Sequence, residues 1–206
     1  MAYQIRVSPN ALREASARQR EIGAQVSDIG QDVAALTRWL DGAWDGNASQ
    51  QAVASLQYLR VALNQIGEYI QNGASQLGEI ANCFETADNG VVRRFPRLLA
   101  SAISVKGGMG FNFGVSKEVR IDPDEVRMVA SRIDREGDAL RQICNRLENH
   151  LHGLAADWEG RASRSFCENM DLIIDDMQRL SEEVETFARR LYSVASRYEE
   201  MDKNLF

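Results

Sequence analysis

The sequence predicts an all-α protein in which two antiparallel helical hairpins pack into a four-helix bundle. Long apolar stripes follow alternating steps of three and four residues, which is the spacing of one helix face. Turn signals are rare, with three prolines in 206 residues, and this disfavours a protein of many short strands. The chain also repeats itself, because Trp44-Asp45-Gly46 returns 114 residues later as Trp158-Glu159-Gly160.

The repeat covers both ends of the chain. The same shift carries Arg6 onto Arg120 and continues without an insertion to the last turn of each half. Two copies of one hairpin-sized unit are therefore expected, which together form an intramolecular pseudo-dimer. The predicted parts are a first hairpin at residues 1–88, a linker at 89–117 and a second hairpin at 118–206.

Each hairpin is predicted to begin with a capped helix and to reverse at its Trp-x-Gly motif. Ser8-Pro9 and Asp122-Pro123 each place a side-chain acceptor before a proline, which loses no hydrogen bond at the first helical position. Glycines near each tryptophan supply the backbone freedom for the reversal. These glycines are Gly42, Gly46, Gly153 and Gly160.

Each hairpin presents one apolar stripe with few irregular positions. Gln19 interrupts the stripe of the first helix and Gly73 that of the second, while Glu136 and His150 interrupt the third. One hairpin cannot cover its own stripe, but two can cover each other. The linker is long enough to close this pair within one chain, and a domain-swapped dimer stays open as the alternative.

Composition excludes several classes of protein. A net charge of −6 and a pI of about 5.1 disfavour a nucleic-acid binder. No signal peptide or membrane-spanning run is visible, so a soluble chain is expected. Three cysteines without metal-ligand spacing are expected to be free, buried thiols. The only histidines, His150 and His152, point to different helix faces, so we expect no metal site. No Gly-x-Ser-x-Gly elbow or glycine-rich phosphate loop appears, so we expect no cofactor and no catalysis.

The linker is basic and apolar. Arg93, Arg94 and Arg97 stand among apolar residues without an acidic neighbour. They could contact a membrane or a partner protein, or they could hold the linker along the acidic bundle, and both interpretations stay open.

The Trp-x-Gly turn, its place in a hairpin and a repeated motif at each far end resemble the WXG family of proteins, which are exported by bacterial type VII (ESX) secretion. The end motifs are Phe84-x-x-x-Asp88 and Tyr198-x-x-x-Asp202. The resemblance covers everything except the linker. It implies hairpins that pair antiparallel into four-helix bundles, here with both hairpins in one chain.

The resemblance also implies an export signal. In the family, a Tyr-x-x-x-Asp/Glu motif is read together with the tryptophan turn of the partner hairpin, which here means Tyr198 and Asp202 with Trp44 and Gly46. Phe84 lacks the hydroxyl, so the first copy is a degenerate motif. The alternative is that Tyr198 only closes the apolar stripe and Asp202 is a solvated helix end.

The expected function is therefore that of a non-enzymatic type VII secretion substrate, or of an adaptor that escorts one. Such a chain resides in the cytoplasm before leaderless export. Its expected partners are the secretion ATPase and a co-secreted toxin or effector. The alternatives are an intracellular helical scaffold and a secreted protein that acts on membranes through its linker.

Overall fold

The computed structural model describes residues 8–88 and 120–203, which form four long helices. Helices α1 and α2 form the first hairpin, α3 and α4 form the second, and the two hairpins pack together as a four-helix bundle. The predicted fold class is confirmed. None of the helices in the described ranges has the length and apolar character of a membrane span. The helices are α1 at Pro9–Ala43, α2 at Asn47–Asp88, α3 at Pro123–Asp157 and α4 at Arg161–Lys203.

The structure divides into two compact units, and each unit takes a part of every helix. The first unit contains the Trp158 turn, and the second contains the Trp44 turn. The described residues of the first unit are 8–27, 65–88 and 142–177. Those of the second unit are 28–64, 120–141 and 178–203.

Both hairpins begin at the predicted prolines. In the second hairpin, an Oδ1 atom of Asp122 accepts hydrogen bonds of 3.1 Å from the N–H groups of Asp124 and Glu125. In the first, the cap is longer, at 3.5 Å between the Ala11 N–H and the Ser8 hydroxyl. Asp122 therefore satisfies two of the N–H groups that a helix start leaves without partners.

The apolar stripes form the core of both units, as their spacing predicts. Their members are buried in all four helices, from Leu12 in α1 to Val194 in α4. The last member of the α2 stripe, Phe84, and of the α4 stripe, Tyr198, are half-buried. The stripes therefore end in partly exposed aromatic rings at both motif positions.

Two irregular positions of the stripes prove to be one feature of the first unit. The side chain of Gln19 is fully buried, and its Nε2 atom donates to the Ile70 carbonyl at 3.1 Å. The same nitrogen lies 3.3 Å from the Met170 sulfur. A Cβ atom on Gly73 would lie 2.5 Å from the Nε2 atom of Gln19. The missing side chain of Gly73 therefore makes room for the amide of Gln19.

The helices of the first hairpin approach each other closely at two glycines. A Cβ atom added to Gly67 would lie 3.0 Å from the Gly23 carbonyl oxygen and would contact the hydroxyl of Ser27. The second hairpin has a serine, Ser181, at the position that matches Gly67. There a Cβ atom on Gly137 would meet the side chain of Val184, at 3.1 Å. Backbone thus meets backbone only in the first of these two contacts.

The three cysteines are free thiols, as predicted, but they are not all buried, since Cys83 is half-buried. Cys144 is buried, and its Sγ atom lies 3.6 Å from the Ile174 carbonyl. Cys167 is half-buried, and its pKa is raised first by burial and then by the charge of Asp171. A raised pKa keeps this thiol protonated, which makes it a poor nucleophile.

Candidate functional site

The two Trp-x-Gly turns share one backbone geometry. The N–H of Trp44 donates to the Leu40 carbonyl at 3.1 Å, and that of Trp158 donates to the Leu154 carbonyl at 2.9 Å. The glycine that follows each tryptophan has a positive φ, 111° at Gly46 and 135° at Gly160. This conformation favours glycine, so the last position of each motif is set by the turn itself.

The other two glycines near the turns were wrongly predicted to take part in the reversal. Gly42 lies inside α1 and Gly153 inside α3, and neither has a positive φ. One glycine after the tryptophan completes each turn, so the helix needs no further freedom before it. A Cβ atom at either position would meet no atom within 4 Å.

Both turn tryptophans belong to the core. Trp44 is 2% exposed and Trp158 is 1% exposed. The ring of Trp158 packs against Phe166 at a centroid distance of 6.0 Å. In the first turn, the buried hydroxyl of Ser49 donates to the Trp44 carbonyl. The indole of each tryptophan is therefore buried, and only the outer part of each turn is exposed to solvent.

The Trp44 turn is also paired with the chain that leads into α3. The N–H of Asp45 donates to the Arg120 carbonyl at 2.8 Å, and the N–H of Asp122 donates to the Ala43 carbonyl at 2.9 Å. These bonds form an antiparallel bridge between Trp44 and Ile121, the one such bridge within residues 8–88 and 120–203. Helical periodicity carries no signal for this contact.

The end motifs lie in the same units as the tryptophan turns of the opposite hairpins. Tyr198 belongs to the second unit with Trp44, and Phe84 belongs to the first unit with Trp158. The backbone is helical through Asp88 and Asp202. The side chains of these two aspartates lie outside the described part of the structure.

In each hairpin, one arginine–glutamate contact connects the start of the first helix to the end of the second. The sequence analysis did not predict these two contacts. The two terminal guanidinium nitrogens of Arg13 donate to the carboxylate of Glu85, and Arg127 contacts Glu199 in the same bidentate way. A third polar contact also repeats, from Arg13 to Asn82 at 3.3 Å and from Arg127 to Ser196 at 3.4 Å. The 114-residue shift aligns all three positions and could have revealed them.

The arginines change the acidity of their partners. Hydrogen bonding from Arg127, together with its charge, lowers the pKa of Glu199 below its ordinary value. Arg13 lowers the pKa of Glu85 in the same way. A lowered pKa means that the contact stabilises the folded chain when the carboxylate is charged and is lost as the pH falls through that pKa.

Helices α1 and α3 form a flank that combines charge with exposed apolar side chains. Trp39 is 45% exposed, and the guanidinium of Arg132 stacks over its ring at 4.4 Å. Within the first unit, Arg146 of α3 donates to Gln25 of α1 at 2.6 Å.

The two irregular positions of α3, Glu136 and His150, are titratable residues with shifted pKa values. Burial, followed by the charge of Asp32, raises the pKa of Glu136. Burial, followed by the charge of Arg18, lowers the pKa of His150. Both side chains are therefore shifted toward their neutral forms. In the described residues no three histidine, cysteine or acidic side chains are grouped to hold a metal ion.

The basic linker residues lie outside the described residues. Arg93, Arg94 and Arg97 fall between the two described ranges. Their contact with a membrane, a partner or the bundle stays a prediction.

Comparison with known proteins shows that one family model matches both repeats of the chain. The family model WXG100, described as proteins of 100 residues with WXG, matches residues 4–89 and 118–203. The chain is also similar to type VII secretion system extracellular protein A of Staphylococcus aureus strains USA300, Newman and NCTC 8325. In each case 26% of 87 residues are identical, covering 42% of this chain and 90% of the relative. No solved structure matches this chain.

Proposed function

Since this chain belongs to the WXG100 family and carries two of its units in tandem, we propose that it is a non-enzymatic substrate of a type VII secretion system. The observation that carries the proposal is the double match to the family on two isostructural Trp-x-Gly turns. The relatives, which are type VII extracellular proteins, support the same assignment. Such a substrate would be made in the cytoplasm and exported through the type VII machinery.

The finer proposal concerns the export signal. We propose that Tyr198 and Asp202 form it together with the turn at Trp44 and Gly46. Tyr198 and Trp44 belong to one unit, and the ring of Tyr198 is partly exposed. Two residues four apart lie on one helix face, so an aromatic ring and a carboxylate can be presented together. The buried indole of Trp44 holds the turn in place. The solvent-exposed part of the turn contacts the secretion machinery in this proposal.

The proposed partner is the ATPase of the secretion machinery. Fusion of the two hairpins supplies both parts of the signal in one chain, because the turn comes from the first hairpin and the motif from the second. The same composite surface would serve a chain that escorts a co-secreted toxin or effector. An adaptor of this kind would need no chemistry of its own.

The test compares the two end motifs within the same chain. Tyr198→Ala and Asp202→Ala should each lower the secreted fraction about tenfold in the native host, as a loss of about 1.4 kcal/mol of recognition would. The matched controls are Phe84→Ala and Asp88→Ala, which should leave secretion near the wild-type level. Unchanged secretion of the Asp202→Ala chain would reject the signal assignment. Recovery of the wild-type chain only from lysate would favour an intracellular scaffold.

A further inference from the structure

The segment at residues 120–127 contacts the Trp44 turn and also Glu199, the residue that follows Tyr198. It contains the extended residues before α3 and the first turn and a half of that helix. Its main chain bonds to the Trp44 turn, and its last side chain bonds to the end of α4. All of these residues belong to the second unit.

The first contact fixes the turn. Two main-chain hydrogen bonds, at 2.8 and 2.9 Å, join Arg120 and Asp122 to the residues on either side of Trp44. Asp122 also caps α3 with its side chain. The start of α3 is thereby placed against the turn by its backbone and held in helical form by the same residue.

The second contact fixes the end of α4. Arg127 lies in the second turn of α3, and its guanidinium holds the Glu199 carboxylate in a bidentate ion pair. Glu199 is the neighbour of Tyr198 and lies three residues before Asp202, on the same helix face. A planar fork fixes direction as well as distance, so this pair sets the rotation of the helix turn that carries both motif residues.

We propose that Arg127 is a positioning residue of the export signal, acting through Glu199 to hold Tyr198 and Asp202 at a fixed angle to the Trp44 turn. This inference rests on the proposed type VII signal. The residue itself need not touch the secretion machinery. Its ion pair with Glu199 holds the last turns of α4 in one orientation.

The first hairpin provides a matched control for this role. Arg13 holds Glu85 with the same fork geometry, and Asn82 stands where Ser196 stands in the second hairpin. Glu85, however, follows Phe84, which belongs to the degenerate motif. A role in joining helix ends applies equally to both pairs, whereas a role in the signal applies only to Arg127.

The experiment measures secretion of the full chain from its native host, normalised to the folded protein in the cell. Arg127→Gln should lower the secreted fraction about fivefold or more, while Arg13→Gln should leave it unchanged. Hydrogen exchange of the purified chains should show faster exchange in the last turns of α4 for the first variant and of α2 for the second. Equal secretion of the two variants would overturn the positioning role.

A charge reversal separates positioning from folding. Arg127→Glu combined with Glu199→Arg restores an ion pair at the same place and should return secretion toward the wild-type level. Failure of this double variant to recover secretion, with α4 exchange restored, would also overturn the proposal. If Tyr198→Ala is secreted normally, the signal assignment itself fails. If Tyr198→Ala is blocked while Arg127→Gln is secreted normally, only the positioning role fails.

Discussion

Single glycines decide how closely the helices of the first hairpin approach. Gly67→Ala should lower the free energy of unfolding by about 1–3 kcal/mol, as overpacking of a tight contact does. The added methyl group would press on the Gly23 carbonyl at 3.0 Å. Thermal or urea unfolding of the purified chain measures this loss.

The chain offers an opposite case at Gly42. This glycine is also helical but has open space around a Cβ atom. Gly42→Ala should therefore raise stability by up to about 1 kcal/mol, the helix-propensity difference between the two residues. A stabilised Gly67→Ala chain would show that the helices can separate without cost.

Glu136 should give stability an unusual dependence on pH. Burial and the nearby Asp32 raise its pKa, so the folded chain binds this proton more tightly than the unfolded chain. Its contribution to stability therefore falls as the pH rises through the folded pKa. Glu136→Gln should raise the melting temperature at neutral pH, and the difference should shrink toward acidic pH. A variant that melts lower than wild type at neutral pH would contradict this assignment.

At the residue scale, the buried apolar positions and the turn glycines could be predicted from the sequence. The stripe spacing identified the buried apolar residues, and Gly46 and Gly160 were placed in the turns. The spacing also identified Gln19 and Gly73 as irregular positions. Only the structure shows that the amide of Gln19 occupies the space that a side chain at Gly73 would need. Periodicity describes one helix at a time, so it cannot pair irregular positions on different helices.

The starts of α1 and α3 are capped by different residues, Ser8 and Asp122. Asp122→Ala should cost about 1 kcal/mol of stability, because the carboxylate caps two N–H groups at 3.1 Å. Ser8→Ala is the matched change in α1, where the bond is 3.5 Å long, and should cost less. Denaturant unfolding of both variants measures the difference. A larger loss for Ser8→Ala would contradict the capping geometry.

Element boundaries were predictable where a single residue type decides them. Proline marks the first residue of α1 and α3, and a positive-φ glycine precedes the start of α2 and α4. The bridge between Trp44 and Ile121 was not predictable. It depends on tertiary placement of a non-helical segment, for which neither period 2 nor period 3.6 gives a signal.

For the whole molecule, the account requires that the two hairpins pair within one chain. The pairing is then intramolecular, so the melting temperature should not change over a wide range of protein concentration. Light scattering should give the mass of one chain, 23.1 kDa. A melting temperature that rises with concentration would indicate a dimer that exchanges hairpins.

This fused pair of WXG100 units is proposed to leave the cell through a type VII system. The most direct measurement compares the amount of the chain in culture supernatant and lysate from its native host, with the secretion ATPase intact and with the ATPase inactivated. The chain should move from the supernatant to the lysate when the ATPase is inactive, while a protein secreted by another route should stay in the supernatant. An unchanged supernatant level, or a chain confined to the lysate in both strains, would contradict it.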